Sequence, residues 1–174
     1  LEMYSAELPV VTEGTAMVIP HEKAIVPCSN LIQDLIRLAS FLKELQTQSH
    51  LIHLNYEGSN FIPVHEFLKE RYETHQEQFD TIGEFVRAMD FYMPMCACGL
   101  KDEMPTCFNN VSSHDGRAML MTYHSNLCDL CEMLCEIEPV AIEMKAMDVI
   151  HYLAELMADA NKTTWYLKAT LRCG

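Results

Sequence analysis

A run of leucines with helical spacing, in the first third of the chain, most constrains how the chain can fold. The leucines recur every three or four residues, at Leu31, Leu35, Leu38, Leu42 and Leu45. This spacing places apolar side chains on one face of an α-helix, which must then be buried against other elements. Asn30 and Gln33 have the spacing of a capping box at the start of this helix. The pattern predicts a helix from there to about Tyr56, where Gly58 ends it.

A second helix is predicted directly after Gly58. Ser59 or Asn60 is its expected cap, and Pro63 is compatible with the first turn, where a backbone N–H has no helical partner. The helix is expected to continue to about Met89. Two long helices therefore run antiparallel across a tight turn.

Two more helices are predicted in the second half of the chain. Residues 90–112 contain proline, glycine and asparagine and predict a long connection with room for a short helix of its own. A third helix is expected from about Ser113 to Ile137, where Pro139 ends it or opens the next element, and a fourth runs to about Leu171. The apolar side of the fourth helix consists of Val149, Leu153, Leu156, Ala160 and Leu167. No segment has the alternating pattern of a strand, so we predict an all-α four-helix bundle with a long crossover connection.

Length and charge narrow the class of protein. The 174 residues favour a single domain, with an extended tail over residues 1–27 and the bundle over residues 28–174. The formal net charge is −13, and Lys23 is the one lysine of the tail, so binding to nucleic acid or to anionic lipid is disfavoured. No run of eighteen apolar residues and no signal sequence is found, which predicts no membrane contact. The eight cysteines are then expected to be thiols in the cytoplasm.

Four side chains near the first turn and along the second helix are able to bind a metal ion. His53 and His65 flank the turn, which brings such positions together. Asp80 and Glu84 are four residues apart and share one face of a helix. His65 and Asp80, however, lie about 22 Å apart along a straight helix, so one chain cannot bring all four to one ion. Either these are unrelated structural and solvated residues, or a second copy packed antiparallel completes the site.

The same segments carry a resemblance to a known family. The chain reads HLNYEGSNFIPVHE from His53 onward and DTIGE from Asp80 onward. It resembles the Dps proteins (DNA-binding proteins from starved cells), the dodecameric mini-ferritins, in which the two His, the Asp and the Glu have the same spacings. The segment NKTTWYLKATL is also similar to the family's final helix, so that the resemblance in layout covers residues 30–172.

The resemblance implies a ferritin-like bundle with a ferroxidase centre shared across a twofold axis. His53 and His65 of one subunit would bind iron together with Asp80 and Glu84 of the other, and this mixed ligand set also suits zinc. A homododecamer is implied that oxidises Fe(II), with hydrogen peroxide as the preferred oxidant, and stores ferric mineral, protecting against oxidative stress. Ferritins proper use Glu-x-x-His motifs within one bundle, and no Glu of this chain has a His three residues later.

The chain departs from the family's pattern at three places. Leu54 stands where a Trp commonly follows the first His, and Lys69 stands where the family often has an Asp. The ammonium group at this position leaves open whether the site holds one iron ion or two. An acidic tail replaces the Lys-rich tail of many family members, so the charge does not favour DNA binding.

Two further groups are candidate sites. Cys128, Cys131 and Cys135 share one face of the third helix, and they are either small core residues or a soft-metal or redox site that also includes Cys96 and Cys98. A stripe on the fourth helix consists of Asp148, His151, Glu155 and Asp159. The stripe is either a solvated face or, as the acidic pores of the family imply, a path for iron entry.

The sequence therefore favours a ferroxidase and iron-storage protein. Three alternatives stay open: a dodecamer that compacts DNA and has weak or altered ferroxidase activity, a thiol buffer for soft metals, and a helical bundle without an active centre.

Overall fold

The computed structural model describes residues 26–58, 60–104 and 108–172, so that residues 1–25 of the predicted tail lie outside the described chain. Five helices cover most of it: α1 Val26–Asn55, α2 Phe61–Ala88, α3 Ala97–Asp102, α4 Gly116–Glu143 and α5 Met147–Arg172. The described residues contain no strand. The all-α prediction is confirmed, with four long helices and with α3 inside the long connection.

The leucine stripe of α1 lies at the centre of the core. Its members Leu31, Leu35, Leu38, Leu42 and Leu45 are each 0% exposed. Burial of each leucine stabilises the fold by about 1.5–3 kcal/mol relative to an exposed side chain. α1 packs mainly against α2 and also against α4, while α5 packs against α4. The predicted apolar side of α5 is buried as well, at Val149, Leu153, Leu156, Ala160 and Leu167.

The start of α1 differs from the prediction. Asn30 lies inside the helix, which begins at Val26. The Gln33 side chain donates a hydrogen bond to the Glu103 carboxylate in the connection, and does not turn back toward the helix start. Pro27 falls in the first turn, where its missing N–H leaves no helical bond unmade. The capping-box prediction was wrong because the residues before Asn30 already continue the helix.

The caps of α2 and α4 differ in how they are made. Asn60 is the N-cap of α2, as expected, but its side chain makes no capping hydrogen bond. In α4 the cap is Asp115, whose carboxylate accepts a hydrogen bond from the Ala118 N–H at 2.7 Å. This helix therefore begins three residues after the predicted start at Ser113.

The prediction that Pro139 ends α4 or opens the next helix was wrong. The helix continues through it to Glu143. An interior proline costs roughly 3 kcal/mol in a helix, but Ile137 and Ala141 on either side of it are buried in the core. Packing of these side chains outweighs the local preference.

Among the described helices, none has the length and apolar character needed to cross a bilayer.

Candidate metal centre

The turn between α1 and α2 brings the two predicted histidine ligands into contact. The His53 Nδ1–H donates to the backbone carbonyl of His65 at 2.8 Å, and the His65 Nδ1–H donates to the carbonyl of His53 at 3.0 Å. The two rings stack with centroids 3.7 Å apart and planes 21° apart. Because a carbonyl oxygen only accepts, both Nδ1 atoms carry the proton. In the neutral rings, both Nε2 atoms then keep a lone pair for a metal ion.

Aromatic neighbours fix the orientation of this histidine pair. Tyr72 stacks on His50 with centroids 4.2 Å apart and meets the His53 ring edge-on at 5.5 Å. Phe61 stacks on the His65 ring at 5.0 Å. Metal-binding histidines commonly donate their second N–H to a carbonyl, which fixes the tautomer and the ring direction. The sequence reading missed these neighbours, although His50 lies one helical turn before His53 and Tyr72 lies two turns after His65.

The two predicted carboxylates, Asp80 and Glu84, are exposed on α2. Neither bonds to another described residue. Because α2 is unbroken, Asp80 lies about 22 Å beyond His65 along the helix axis, rotated by roughly 60° around it. By the same arithmetic Glu84 is rotated by roughly 100°, so both carboxylates lie at the other end of α2, within about 100° of His65 around the axis. Within the described residues of one chain, no group of three His, Cys, Asp or Glu side chains could hold a metal ion.

Lys69 lies one turn after His65 on the same helix. Its Nζ is 4.0 Å from the Glu73 carboxylate, and both side chains are more than half exposed. Exposed pairs of this kind contribute about 0–1 kcal/mol. The ammonium group is therefore held only weakly.

The three cysteines of α4 do not form a core stripe. Cys128 and Cys131 are half-buried, and Cys135 is exposed. The Cys128 Sγ lies 3.9 Å from His124 Nδ1. Burial raises the pKa of the Cys128 and Cys131 thiols, which disfavours the thiolate form that soft metals bind. A soft-metal role for these cysteines stays a prediction.

The acidic stripe of α5 divides into exposed and inward-facing residues. Asp148 and Glu155 are exposed, whereas Asp159 accepts hydrogen bonds from Arg71 and from Gln78, each at 2.9 Å. The proposed iron path stays a prediction, and Asp159 already has partners for both of its carboxylate oxygens.

Sequence reasoning missed a polar network in the centre of the bundle. It consists of Arg71, His75, Gln78, Tyr123, Asp159 and Thr163, contributed by α2, α4 and α5. The first three occur at helical spacing on α2, between the buried Leu68 and Ile82. Polar side chains on an otherwise apolar helix stripe were the signal that could have revealed it.

Comparison with known proteins agrees with the fold. A family model for the ferritin-like domain matches residues 31–173, and the chain belongs to that family. Its fold is that of solved Dps structures, which confirms the resemblance at that level. A sequence search among curated proteins finds no match.

Three solved structures illustrate the similarity. Antigen TpF1 from Treponema pallidum is 20% identical with a TM-score of 0.79, over 88% of this chain and 98% of that one. A Dps protein from Bacillus brevis is 21% identical with a TM-score of 0.77, over 86% and 99%. The Dps protein from Vibrio cholerae O1 is 18% identical with a TM-score of 0.78, over 91% and 99%, and belongs to a broad superfamily of ferritin-like diiron-carboxylate proteins.

Proposed function

We propose that this chain is the subunit of a mini-ferritin, a homododecamer that oxidises Fe(II) and stores ferric mineral. The observation that carries the proposal is the histidine pair at the turn between α1 and α2. The reciprocal hydrogen bonds of His53 and His65 leave two Nε2 lone pairs for one cation.

The proposed site is completed by a second subunit. Asp80 and Glu84 are exposed and have no partner among the described residues, and they lie within about 100° of His65 around the axis of α2. If two α2 helices pack antiparallel about a twofold axis, the histidines of one meet the carboxylates of the other, and the axis relates two such sites. The separation of about 22 Å within one chain is what such an arrangement requires.

Exposed apolar side chains beside the histidine pair support a contact with another copy. Leu54 is 64% exposed, Leu51 55% and Ile62 67%. Clusters of exposed apolar residues mark interaction surfaces in otherwise water-soluble folds. Leu54 stands where the family commonly has a Trp, so this position stays apolar.

The ligands suit Fe(II) as a substrate. Neutral imidazoles bind Fe(II), and carboxylates favour the harder Fe(III) that oxidation produces. In the proposed reaction, two Fe(II) ions each give one electron to hydrogen peroxide, whose O–O bond breaks with formation of water. Lys69, one turn after His65, adds a positive charge and supplies no ligand.

The proposed physiological role is protection against oxidative stress in the cytoplasm. Consumption of Fe(II) and peroxide together prevents the one-electron reaction that yields hydroxyl radicals. The net charge of −13 attracts cations to the protein surface. It also disfavours the phosphate contacts that DNA binding would need.

Replacement of one ligand from each half of the proposed site tests this function. We expect His65→Ala and Asp80→Asn each to slow peroxide-dependent Fe(II) oxidation by on the order of tenfold or more, followed by the absorbance of Fe(III). The matched controls are His114→Ala and Glu138→Gln, which change exposed residues outside α1 and α2 and should oxidise Fe(II) at the normal rate. Zinc should inhibit the wild type competitively. The proposal would be contradicted if His65→Ala protein, assembled to the same mass as the wild type, oxidised Fe(II) at the wild-type rate.

A further inference from the structure

Two cysteines in the long connection lie close together, apart from the histidine pair and the acidic residues. Cys96 and Cys98 are both exposed, and only Ala97 separates them in the sequence. Their Sγ atoms are 2.7 Å apart. Cys96 is the N-cap of α3, and its Sγ accepts a hydrogen bond from the Gly99 N–H at 3.3 Å. The backbone thus holds both sulfur atoms on the same side of this short segment.

The distance between the sulfur atoms of Cys96 and Cys98 favours a redox pair. Two thiolates that bind one tetrahedral zinc ion lie roughly 3.8 Å apart, given zinc–sulfur bonds of about 2.3 Å. A disulfide needs about 2.05 Å. The observed 2.7 Å is nearer to the disulfide distance than to the zinc-bound distance, and a small movement closes it to a bond.

We propose that Cys96 and Cys98 form a peroxide-reducing dithiol that is converted to a disulfide, an activity separate from iron oxidation. The Cys96 thiolate attacks one oxygen of a hydroperoxide, the O–O bond breaks, and the leaving oxygen takes a proton from water, which leaves a sulfenic acid on Cys96. The Cys98 sulfur then attacks the Cys96 sulfur. The S–O bond breaks, the S–S bond forms, and the hydroxide leaves as water with the Cys98 thiol proton.

Cys96 is the attacking sulfur because its surroundings stabilise the thiolate. The hydrogen bond from Cys98 and the bond from the Gly99 N–H lower the pKa of the Cys96 thiol. By contrast, burial raises the pKa of Cys131 on α4. Thiolate character and exposure together decide which cysteines react with peroxide. The chain therefore contains both a reactive pair, Cys96 and Cys98, and a less reactive cysteine, Cys131, with which the pair can be compared.

A groove gives peroxide access to the pair. It has a volume of about 400 Å³, and Cys96 contributes to its wall together with Lys43, Lys101 and the apolar side chains of Phe79 and Met93. The two ammonium groups favour negative charge on the leaving oxygen. The groove is wide enough for hydrogen peroxide or a small organic hydroperoxide.

Mass spectrometry of tryptic fragments tests the proposal directly. Cleavage after Arg87 and Lys101 releases a fragment in which Cys96 and Cys98 are the only cysteines. Iron-free assembled protein, kept with a chelator, is treated with hydrogen peroxide and then alkylated. We expect this fragment to lose two hydrogens and both alkylation sites, and dithiothreitol to restore them. In the α4 fragment, the half-buried Cys128 and Cys131 should lose their alkylation sites on the order of tenfold more slowly.

Two variants assign the roles of the sulfur atoms. In Cys98→Ser the reaction should stop at a sulfenic acid on Cys96, which dimedone traps, and in Cys96→Ser the fast phase should disappear. The proposal is overturned if peroxide removes the alkylation sites of Cys96 and Cys98 as slowly as those of the α4 cysteines. It is also overturned if peroxide links Cys96 to another chain. Because iron is absent, the result is independent of whether the protein is a ferroxidase.

Discussion

At the scale of single residues, the hydrogen bonds of His75 in the middle of the bundle fix its protonation state. The Tyr123 hydroxyl donates to His75 Nε2 at 2.7 Å, and the His75 Nδ1–H donates to the Gln78 side-chain oxygen at 2.8 Å. The Gln78 amide in turn donates to Asp159, which fixes its orientation and hence the His75 tautomer. Burial, with a smaller contribution from the nearby Arg71 cation, lowers the pKa of His75 to about 4. Burial also raises the pKa of Tyr123.

We expect His75 to make the free energy of unfolding depend on pH between about 6.5 and about 4. In the unfolded chain its pKa is about 6.5, so below that pH the unfolded state binds a proton that the folded state excludes. The contribution is complete above about pH 6.5 and is lost as the pH falls toward the folded pKa, by roughly 3 kcal/mol in total. Denaturant titrations at several pH values measure this loss.

The control for this prediction is an exposed histidine of the same chain. His114 is exposed and has no ion-pair partner among the described residues, so His114→Gln should leave the pH dependence as in the wild type. His75→Gln keeps a polar side chain at the buried position and should flatten the dependence between about pH 6.5 and pH 5, above the range of most carboxylates. An unchanged slope in His75→Gln would show that another group is responsible.

Single residues were predictable from the sequence where their spacing alone carried the information. His53 and His65 could be paired because a short turn between antiparallel helices leaves few arrangements for them. Their tautomers could not be predicted, because these depend on carbonyl groups twelve residues away in the chain. The same holds for His75 and Tyr123, which are 48 residues apart and meet only once three helices have packed.

At the scale of whole helices, α2 and α4 both end in a turn that glycine would normally form. α2 is followed by Asp90 with φ 66°, and α4 by Lys145 with φ 56°. After Lys145, the Ala146 N–H donates back to the Ala141 carbonyl at 3.0 Å. These are Schellman motifs, in which a left-handed residue directly follows the helix. A side chain with a Cβ is strained there, by about 1 kcal/mol.

Glycine at either position should stabilise the protein. We expect Asp90→Gly and Lys145→Gly each to raise the free energy of unfolding by about 0.5–1 kcal/mol, since relief of strain exceeds the extra entropy of the unfolded chain. Urea denaturation measures the change. Lys145→Ala is the matched control, because it removes the same charge and keeps the Cβ, and it should give no gain. Equal stabilisation by Ala and Gly would assign the effect to the lysine charge.

These helix ends also explain which boundaries the sequence could predict. The stripes of α1 and α5 were readable because every third or fourth apolar side chain is buried. The end of α4 was not, because Lys145 lacks the glycine signature and Pro139 suggested an earlier stop. Packing around Ile137 and Ala141 decided the outcome, and packing between helices is not a local property of the sequence.

At the scale of the whole molecule, the proposed centre cannot exist in one chain. The histidine pair is formed within each subunit, while Asp80 and Glu84 lie at the far end of α2. Function would then depend on assembly, and dilution to monomers would abolish oxidation although every ligand is still in place. The exposed Leu54 and Ile62 near the histidine pair make this turn the surface where such an assembly is expected to form.

Mixing two inactive variants tests whether the site is shared. One variant carries His53→Ala and His65→Ala, and the other carries Asp80→Asn and Glu84→Gln. Each alone should be inactive. In a mixed dimer, one of the two sites combines the intact histidines of one chain with the intact carboxylates of the other.

When the two variants are unfolded together, refolded and assembled at equal amounts, half of the dimers are mixed. The rate of Fe(II) oxidation should then recover to about a quarter of the wild-type rate, since a twofold axis relates two sites per dimer. Assembling the variants separately and then combining them is the control, and it should give no recovery. A site contained in one chain cannot be restored in this way, so absence of recovery in co-assembled protein of normal mass would rule out the shared centre.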